Sequence, residues 1–401
     1  MSNPAAFIHA GLGKCGSSFL QQVWSRDPAC ATANLLAAGE AARRYAVAGY
    51  TGKLPHLNHG LSAVAGQTLI ASSEALSWSF MDRPARQHLL PELQRMAASL
   101  VGSCELSETV LFMVRNPVDW IRAAREQTLK EGGGETGPDF IKLHRGLVEH
   151  VLDLARLQAV YRTHFKRVVF LSADEMRNEP DHFWAVYAEA LDVPAPPQAT
   201  LDAMLADERG SNRSLGPRQD WLARLNRETL AIADLWAGLE GLPAPVIHAR
   251  EQFMTQFRNG GRWASRRIAE HADDAILETV SEAARPADLA SLRQKFETIA
   301  QAWSDLEPVP GHVRRERDAL LFQYRTGARG AGSQLAEYAD AATLERLKAI
   351  LTTPPEPELD EIPLDPALRQ RLLGSFCDTL EGCGTIRSET LASYRAALGQ
   401  A

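Results

Sequence analysis

Between residues 11 and 18 the chain reads Gly11-Leu12-Gly13-Lys14-Cys15-Gly16-Ser17-Ser18, after the mostly apolar run Ala5-Ala6-Phe7-Ile8-His9-Ala10. Three glycines let backbone N–H groups turn around an anion, a following helix N-terminus adds partial positive charge, and Lys14 adds a full one. Such a loop is a phosphate cradle; the plainer alternative is a tight strand–helix turn whose glycines serve geometry alone. It is not a Walker A loop, whose lysine follows the last glycine and is itself followed by a hydroxyl for magnesium; here Lys14 precedes Gly16. The apolar run Thr109-Val110-Leu111-Phe112-Met113-Val114 ends in Arg115-Asn116-Pro117, a cation where a magnesium site would want a carboxylate. A third group, Ser72-Ser73-Glu74, follows the apolar Thr68-Leu69-Ile70-Ala71. It carries a carboxylate that could take a proton or simply cap a turn. The expectation is a pocket that contacts phosphate directly, without a metal.

These groups need elements to hold them. The runs at 5–10, 68–71, 109–114 and Arg167–Leu171 read as buried strands. Between and after them, helices are expected from Ser17 to Trp24, Pro84 to Leu100, Pro117 to Lys130, Asp139 to His164 and Pro180 to Leu191. Residues 30–65 have mixed character and define no long element. Alternating strands and helices predict an α/β fold, a P-loop-like parallel sheet flanked by helices, whose carboxyl edge gathers Lys14, Glu74 and Arg115. The pattern turns helical after Pro194-Ala195-Pro196-Pro197. Glu307-Pro308-Val309-Pro310-Gly311 and the Pro/Glu-rich piece Thr353 to Pro366 suggest boundaries, and the first is taken to divide an α/β domain over 1–310 from a mostly helical C-terminal extension over 311–401.

The 401 residues carry 43 Lys+Arg and 50 Asp+Glu, a net charge of −7. That balance argues against a nucleic-acid partner. No window approaches the roughly 20 apolar residues of a membrane span. The N-terminus lacks the basic and apolar regions of a secretory signal, and five scattered cysteines suggest a reducing compartment, so a cytoplasmic location is expected. Only seven of the basic residues are lysine, which gives Lys14 more weight than any one arginine.

Two segments resemble a known family. Phe7 to Leu20 is similar to the 5′-phosphosulfate loop of sulfotransferases that use 3′-phosphoadenosine 5′-phosphosulfate (PAPS), G-x-P-K-x-G-[ST]-[ST]-x-L. Leu111 to Lys130, with Arg115-Asn116-Pro117-Val118-Asp119-Trp120, resembles their 3′-phosphate strand and helix, R-N-P-x-[DE]-W. The likeness covers residues 5–190, and Ser211-Asn212-Arg213-Ser214-Leu215 resembles a stretch of bacterial members. It implies that Gly11, Gly13, Lys14, Cys15, Gly16, Ser17, Ser18 and Arg115 bind PAPS, whose product is adenosine 3′,5′-bisphosphate. Lys14 would also be catalytic, and Glu74 would be the base that deprotonates a carbohydrate or glycosylated small-molecule acceptor. Gly13 stands where the family has proline. Ala123 stands where it has a serine that donates to the 3′-phosphate. Phe257-Arg258-Asn259-Gly260-Gly261-Arg262-Trp263 loosely resembles the family's late F-R-K-G loop, so Arg258 is a candidate for that phosphate, or else part of an exposed loop.

Alternative assignments remain at this stage. His56 and His59 are rival bases or loop residues, Trp24 or Trp78 could stack on adenine, and Arg122 and Arg125 could face an acidic acceptor. A magnesium-ATP small-molecule kinase and a degenerate, non-catalytic binding protein are the competing functions. The arginines at 314–317 and 325–329 could serve a homo-oligomer interface, a lid or an acidic acceptor.

Overall fold

The computed structural model describes the chain except residues 1–4, 53, 55–65, 79–83, 207–217, 283–288, 308, 353–361 and 401. It divides into two compact units: Met1–Ala124 with Pro138–Ser211 and Glu361–Ala401, and Arg125–Gly137 with Asn212–Asp360. The division differs from the expected break at residue 310.

The first unit is α/β. Strands β1 (Phe7–His9), β2 (Cys30–Asn34), β3 (Thr68–Ser72), β4 (Thr109–Val114) and β5 (Arg167–Ser172) form one sheet in the order β2-β3-β1-β4-β5. Every pairing is parallel, with His9 opposite Ser72 and Val114 opposite Ser172. The central β1 and β4 are wholly buried, as unbroken apolar runs must be when both faces are covered. β2, absent from the sequence expectation, is an edge strand. Its Cys-Ala-Thr-Ala-Asn is half exposed, so it needs no apolar run to be stable in the sheet. The Leu36–Val47 helix that follows is short-chained, burying Ala38, Ala41, Ala42 and Ala46.

The expected helix from Asp139 to His164 is two, Gly137–Val151 and Leu154–Arg162. The Asp153 carboxylate caps the second by accepting from the Arg156 N–H at 3.1 Å. All strands run the same way, so the segments after β1, β3, β4 and β5 meet at one edge.

Residues 361–401 belong to this unit, and the reason is their apolar face. Leu368, Leu372, Phe376, Leu380 and Leu398 are completely buried and join the core around the sheet. Polar ties reinforce it: Thr385 Oγ1 donates to the Phe170 carbonyl, and the Arg387 N–H donates to Glu175 Oε1. Tyr394 donates to Asp174 Oδ2 at 2.7 Å and pairs with Ser172 Oγ at 2.8 Å.

The second unit is helical, with long helices at Arg218–Ala237, Ala244–His271, Leu289–Ser304 and Gly311–Tyr338 around Trp236, Phe257, Phe296, Trp303 and Tyr324. A side-chain carbon added at Gly260 would lie 2.5 Å from the Tyr324 backbone, and one at Gly327 would lie 2.3 Å from the Phe257 nitrogen. These glycines therefore let two 28-residue helices touch backbone to backbone. Among the described residues no helix is long and apolar enough to cross a membrane.

Tyr394→Phe removes a hydrogen bond to a carboxylate inside the first unit. It is expected to cost about 1–3 kcal/mol in urea unfolding, and unchanged stability would separate the Ser388–Gln400 helix from the sheet.

Candidate functional site

The loop after β1 has an unusual backbone. Lys14 (φ 69°) and Gly16 (φ 84°) are both left-handed, with one residue between them. For Gly16 this is inexpensive, whereas Lys14 accepts a strain of about 1–3 kcal/mol that neighbours must hold. Those neighbours are identifiable. Ser77 Oγ donates to the Gly11 carbonyl, Trp120 Nε1 to the Gly13 carbonyl at 2.8 Å, and Arg115 Nη1 to the Lys14 carbonyl at 3.3 Å. Three carbonyls are thus tied to surrounding side chains; the last of them, that of Lys14, turns the Cys15 N–H of the same peptide unit the other way. The N–H groups of Gly13, Cys15, Gly16 and Ser17 find no acceptor among the described residues. The Ser17–Arg26 helix begins there without a side-chain cap, and the buried Ser17 hydroxyl has the Glu74 carboxylate as its polar neighbour. A left-handed turn of unpaired amides at a helix N-terminus has the geometry that can receive an anion.

Gly13 and Gly16 are required for different reasons. An added carbon at Gly13 would lie 1.6 Å from the Trp78 ring, which rests on the loop and meets Trp120 edge-on at 6.1 Å. At Gly16 it would lie 2.7 Å from the Met176 methyl, besides sitting at positive φ. An indole occupies the space that a side chain at position 13 would need.

β3 delivers the carboxylate. Ser73 ends the strand, its N–H donating to the His9 carbonyl at 3.0 Å, and its hydroxyl caps the Glu74–Leu76 turn by accepting from the Ala75 N–H. Burial raises the Glu74 pKa, while the nearby Ser17 hydroxyl and the Lys14 charge pull it back. The same three-strand edge surrounds Cys15. Burial pushes its thiol far up, with Arg115 opposing and Asp174 and Glu74 reinforcing, so it stays protonated. Beneath Arg115, Asp174 Oδ2 accepts from the Asn116 N–H at 2.7 Å as well as from Tyr394. Asn116 Oδ1 accepts from the Val118 N–H at 3.0 Å, starting the Pro117–Lys130 helix.

Lys14, Glu74, Arg115 and the Gly11–Ser18 loop accordingly share one edge, as expected. Arg258 is not a loop residue. Asn259-Gly260-Gly261 lies inside the Ala244–His271 helix of the second unit, where the glycines serve helix contact and Arg258 pairs with Asp234 Oδ1 at 3.2 Å on the exposed face. Arg122 makes an exposed pair with Asp119. The buried Arg125 bonds to the Glu135 carbonyl and Asp220, inside the second unit. Trp24 is fully buried, donating to Tyr187 at 3.1 Å, so it cannot stack on a ligand. Ala123 is half-buried on the Pro117–Lys130 helix. His56, His59 and Ser211–Leu215 lie outside the described residues.

His9 pairs through Nδ1 with Ser72 Oγ at 2.9 Å, and burial lowers its pKa to about 3, leaving a neutral ring. Among the described residues no group of histidine, cysteine and carboxylate side chains is placed to hold a metal. The sequence reading missed Ser77, Asp174 and Tyr394, which hold the site without the residue types that draw notice. Only Trp120 carried a signal, its place directly after Arg-Asn-Pro-Val-Asp. No protein family, curated protein or solved structure matches the chain.

Two outcomes follow from this geometry. Gly13→Ala should lower stability by about 1–3 kcal/mol, and Trp78→Ala in the same chain should restore most of it; a harmless Gly13→Ala would remove the indole from the loop. Because the Glu74 pKa is raised on folding, its favourable contribution exists at low pH and is lost as pH rises through the folded value. Glu74→Gln should therefore raise Tm near neutral pH, with the gain shrinking on acidification. A constant difference across a pH series of melts would show that Glu74 is not desolvated.

Proposed function

We propose that the chain is a PAPS-dependent sulfotransferase with a P-loop-like fold, acting on a hydroxyl of a carbohydrate or glycosylated small molecule. The sheet order β2-β3-β1-β4-β5, with the cradle following the central β1, supports the fold assignment. The observation that carries the function is the Gly11–Ser18 loop itself: its carbonyls are tied to Ser77, Trp120 and Arg115, and Lys14 lies near the Glu74 carboxylate. A receptor built from amides and a lysine, beside a carboxylate whose basicity burial raises, suits direct phosphate contact and proton removal.

PAPS, when bound, supplies a sulfuryl group already activated by its link to phosphate. The loop amides, Lys14 and the Ser17 and Ser18 hydroxyls would hold the 5′ end. There they neutralise negative charge that grows on the phosphate oxygen as its bond to sulfur breaks. Arg115 spends one nitrogen on the Lys14 carbonyl, and its remaining N–H groups would meet the 3′-phosphate. That contact stands without the serine found elsewhere, since Ala123 has no donor. Glu74 would accept the acceptor's proton as the acceptor oxygen bonds to sulfur. Its raised pKa makes it a stronger base than an exposed glutamate, and Lys14 and Ser17 keep it ionised enough to act.

Calorimetric titration without magnesium tests the donor site: adenosine 3′,5′-bisphosphate should bind in preference to ADP and ATP. A preference for ATP that appears only with magnesium would identify a kinase instead, and no binding of any of them would point to a non-catalytic protein. Arg115→Ala should weaken the 3′-phosphorylated ligand selectively. Glu74→Gln should cut sulfate transfer by about 10²–10⁴-fold while leaving nucleotide affinity nearly intact. In the unaltered chain, transfer should fall on acidification with an apparent pKa above the ordinary carboxylate range, and a limb at or below that range would exclude Glu74 as base.

A further inference from the structure

The second unit holds a cavity of about 400 Å³ between the Leu289–Ser304 and Gly311–Tyr338 helices. We propose that it is a separate anion-binding site for a small organic molecule bearing two or more phosphate or sulfate groups. The proposal is independent of the sulfotransferase reading.

The wall is charged in one sense. Arg293 reaches it from one helix, and Arg325 and Arg329 from the other, one helical turn apart. Like charges at that spacing repel, so the arrangement is unfavourable for the helix alone. A single carboxylate offsets them: Arg325 Nη2 donates to Glu297 Oε1 at 2.9 Å. Three guanidinium groups against one carboxylate leave two positive charges facing the same space.

Two further observations point to an anionic occupant. Arg325 Nε is buried and has no hydrogen-bond partner among the described residues. That N–H is closed to the cavity, so an anion there would meet the outer Nη groups of the guanidinium, whose fork matches a phosphate or sulfate oxygen. Arg293 is held flat against the neighbouring helix at Gly332, where an added carbon would lie 3.3 Å from its Cγ and 3.4 Å from its Nε. That glycine permits the close approach of the Arg293 stem. The rest of the lining completes a ligand pocket rather than a bare ion site. Phe296 offers a mostly buried apolar surface for a ring, and Ser333 offers a hydroxyl. The volume suits a nucleotide or a sugar bisphosphate.

The test uses the full chain and inorganic pyrophosphate as probe. Calorimetric titration is made into the Lys14→Ala chain, which disables the first cradle, and into the same chain with Arg293→Gln or Arg329→Gln. Both arginines are exposed, so these changes should leave the fold intact. Each is expected to weaken pyrophosphate binding by tenfold or more, and unchanged affinity would overturn the proposal. A second measurement avoids the Lys14 substitution: pyrophosphate should protect Arg293 and Arg329 of the unaltered chain from phenylglyoxal, read by peptide mass spectrometry. Absence of protection would overturn the site equally. Competition by ADP against fructose 1,6-bisphosphate then separates a nucleotide from a sugar phosphate, and failure of both to displace pyrophosphate would overturn the organic ligand.

Discussion

The direction in which three carbonyls point governs the candidate site. Gly11, Gly13 and Lys14 each give their oxygen to a side chain outside the loop, and those side chains come from two different places: Ser77 just past β3, Arg115 and Trp120 just past β4. A peptide unit whose oxygen is held on one side presents its N–H on the other. The left-handed Lys14 is tolerable only under such restraint. The parallel sheet matters because it brings the ends of β1, β3 and β4 together, so the donors arrive where the loop needs them. Asn116, Asp174 and Tyr394 support the same edge from below by fixing the turn that aims Arg115.

Much of this was legible in residue types. Buried parallel strands must be apolar throughout, so β1, β3, β4 and β5 stand out in the sequence, and the Gly/Lys/Ser composition of the loop marks it as an anion receptor. β2 was not legible, because an edge strand half open to solvent has no apolar run to show. The segments at Lys14 and Arg115 are neighbours on one edge. At Asn259-Gly260-Gly261 adjacent glycines look like a loop but serve a tight helix contact. Glycine reports only that a side chain is missing; whether a ligand, a turn or another helix needs the space depends on partners far away in sequence. Tyr394 illustrates the same limit, since a tyrosine near the end of an amphipathic segment says nothing about a carboxylate 220 positions earlier.

The two units divide physical roles between them. The first stores its polar order at one sheet edge, with an almost wholly apolar interior. The second buries charge: Lys130 with Glu126 and Glu270, Lys295 with Glu228, and Arg262, Arg266 and Arg267 around the Trp263 ring. Paired charges of this kind add less stability than apolar packing would, but they fix which helix faces meet. The cavity lined by three arginines and one carboxylate lies in this same charged unit.

The placement of residues 361–401 in the first unit has a consequence for how the protein comes into being. The second unit is an insertion: most of it, Asn212–Asp360, interrupts a sheet domain that resumes afterwards. On the ribosome, β1 to β5 emerge long before the Ser388–Gln400 helix that covers Ser172 and Asp174. The sheet domain must therefore wait, incompletely covered, while an entire helical unit is synthesised and folds by its more local contacts. Maturation of the anion loop is in this sense a late event, and the waiting intermediate, with an apolar face still open, is the species most exposed to aggregation and most in need of a chaperone.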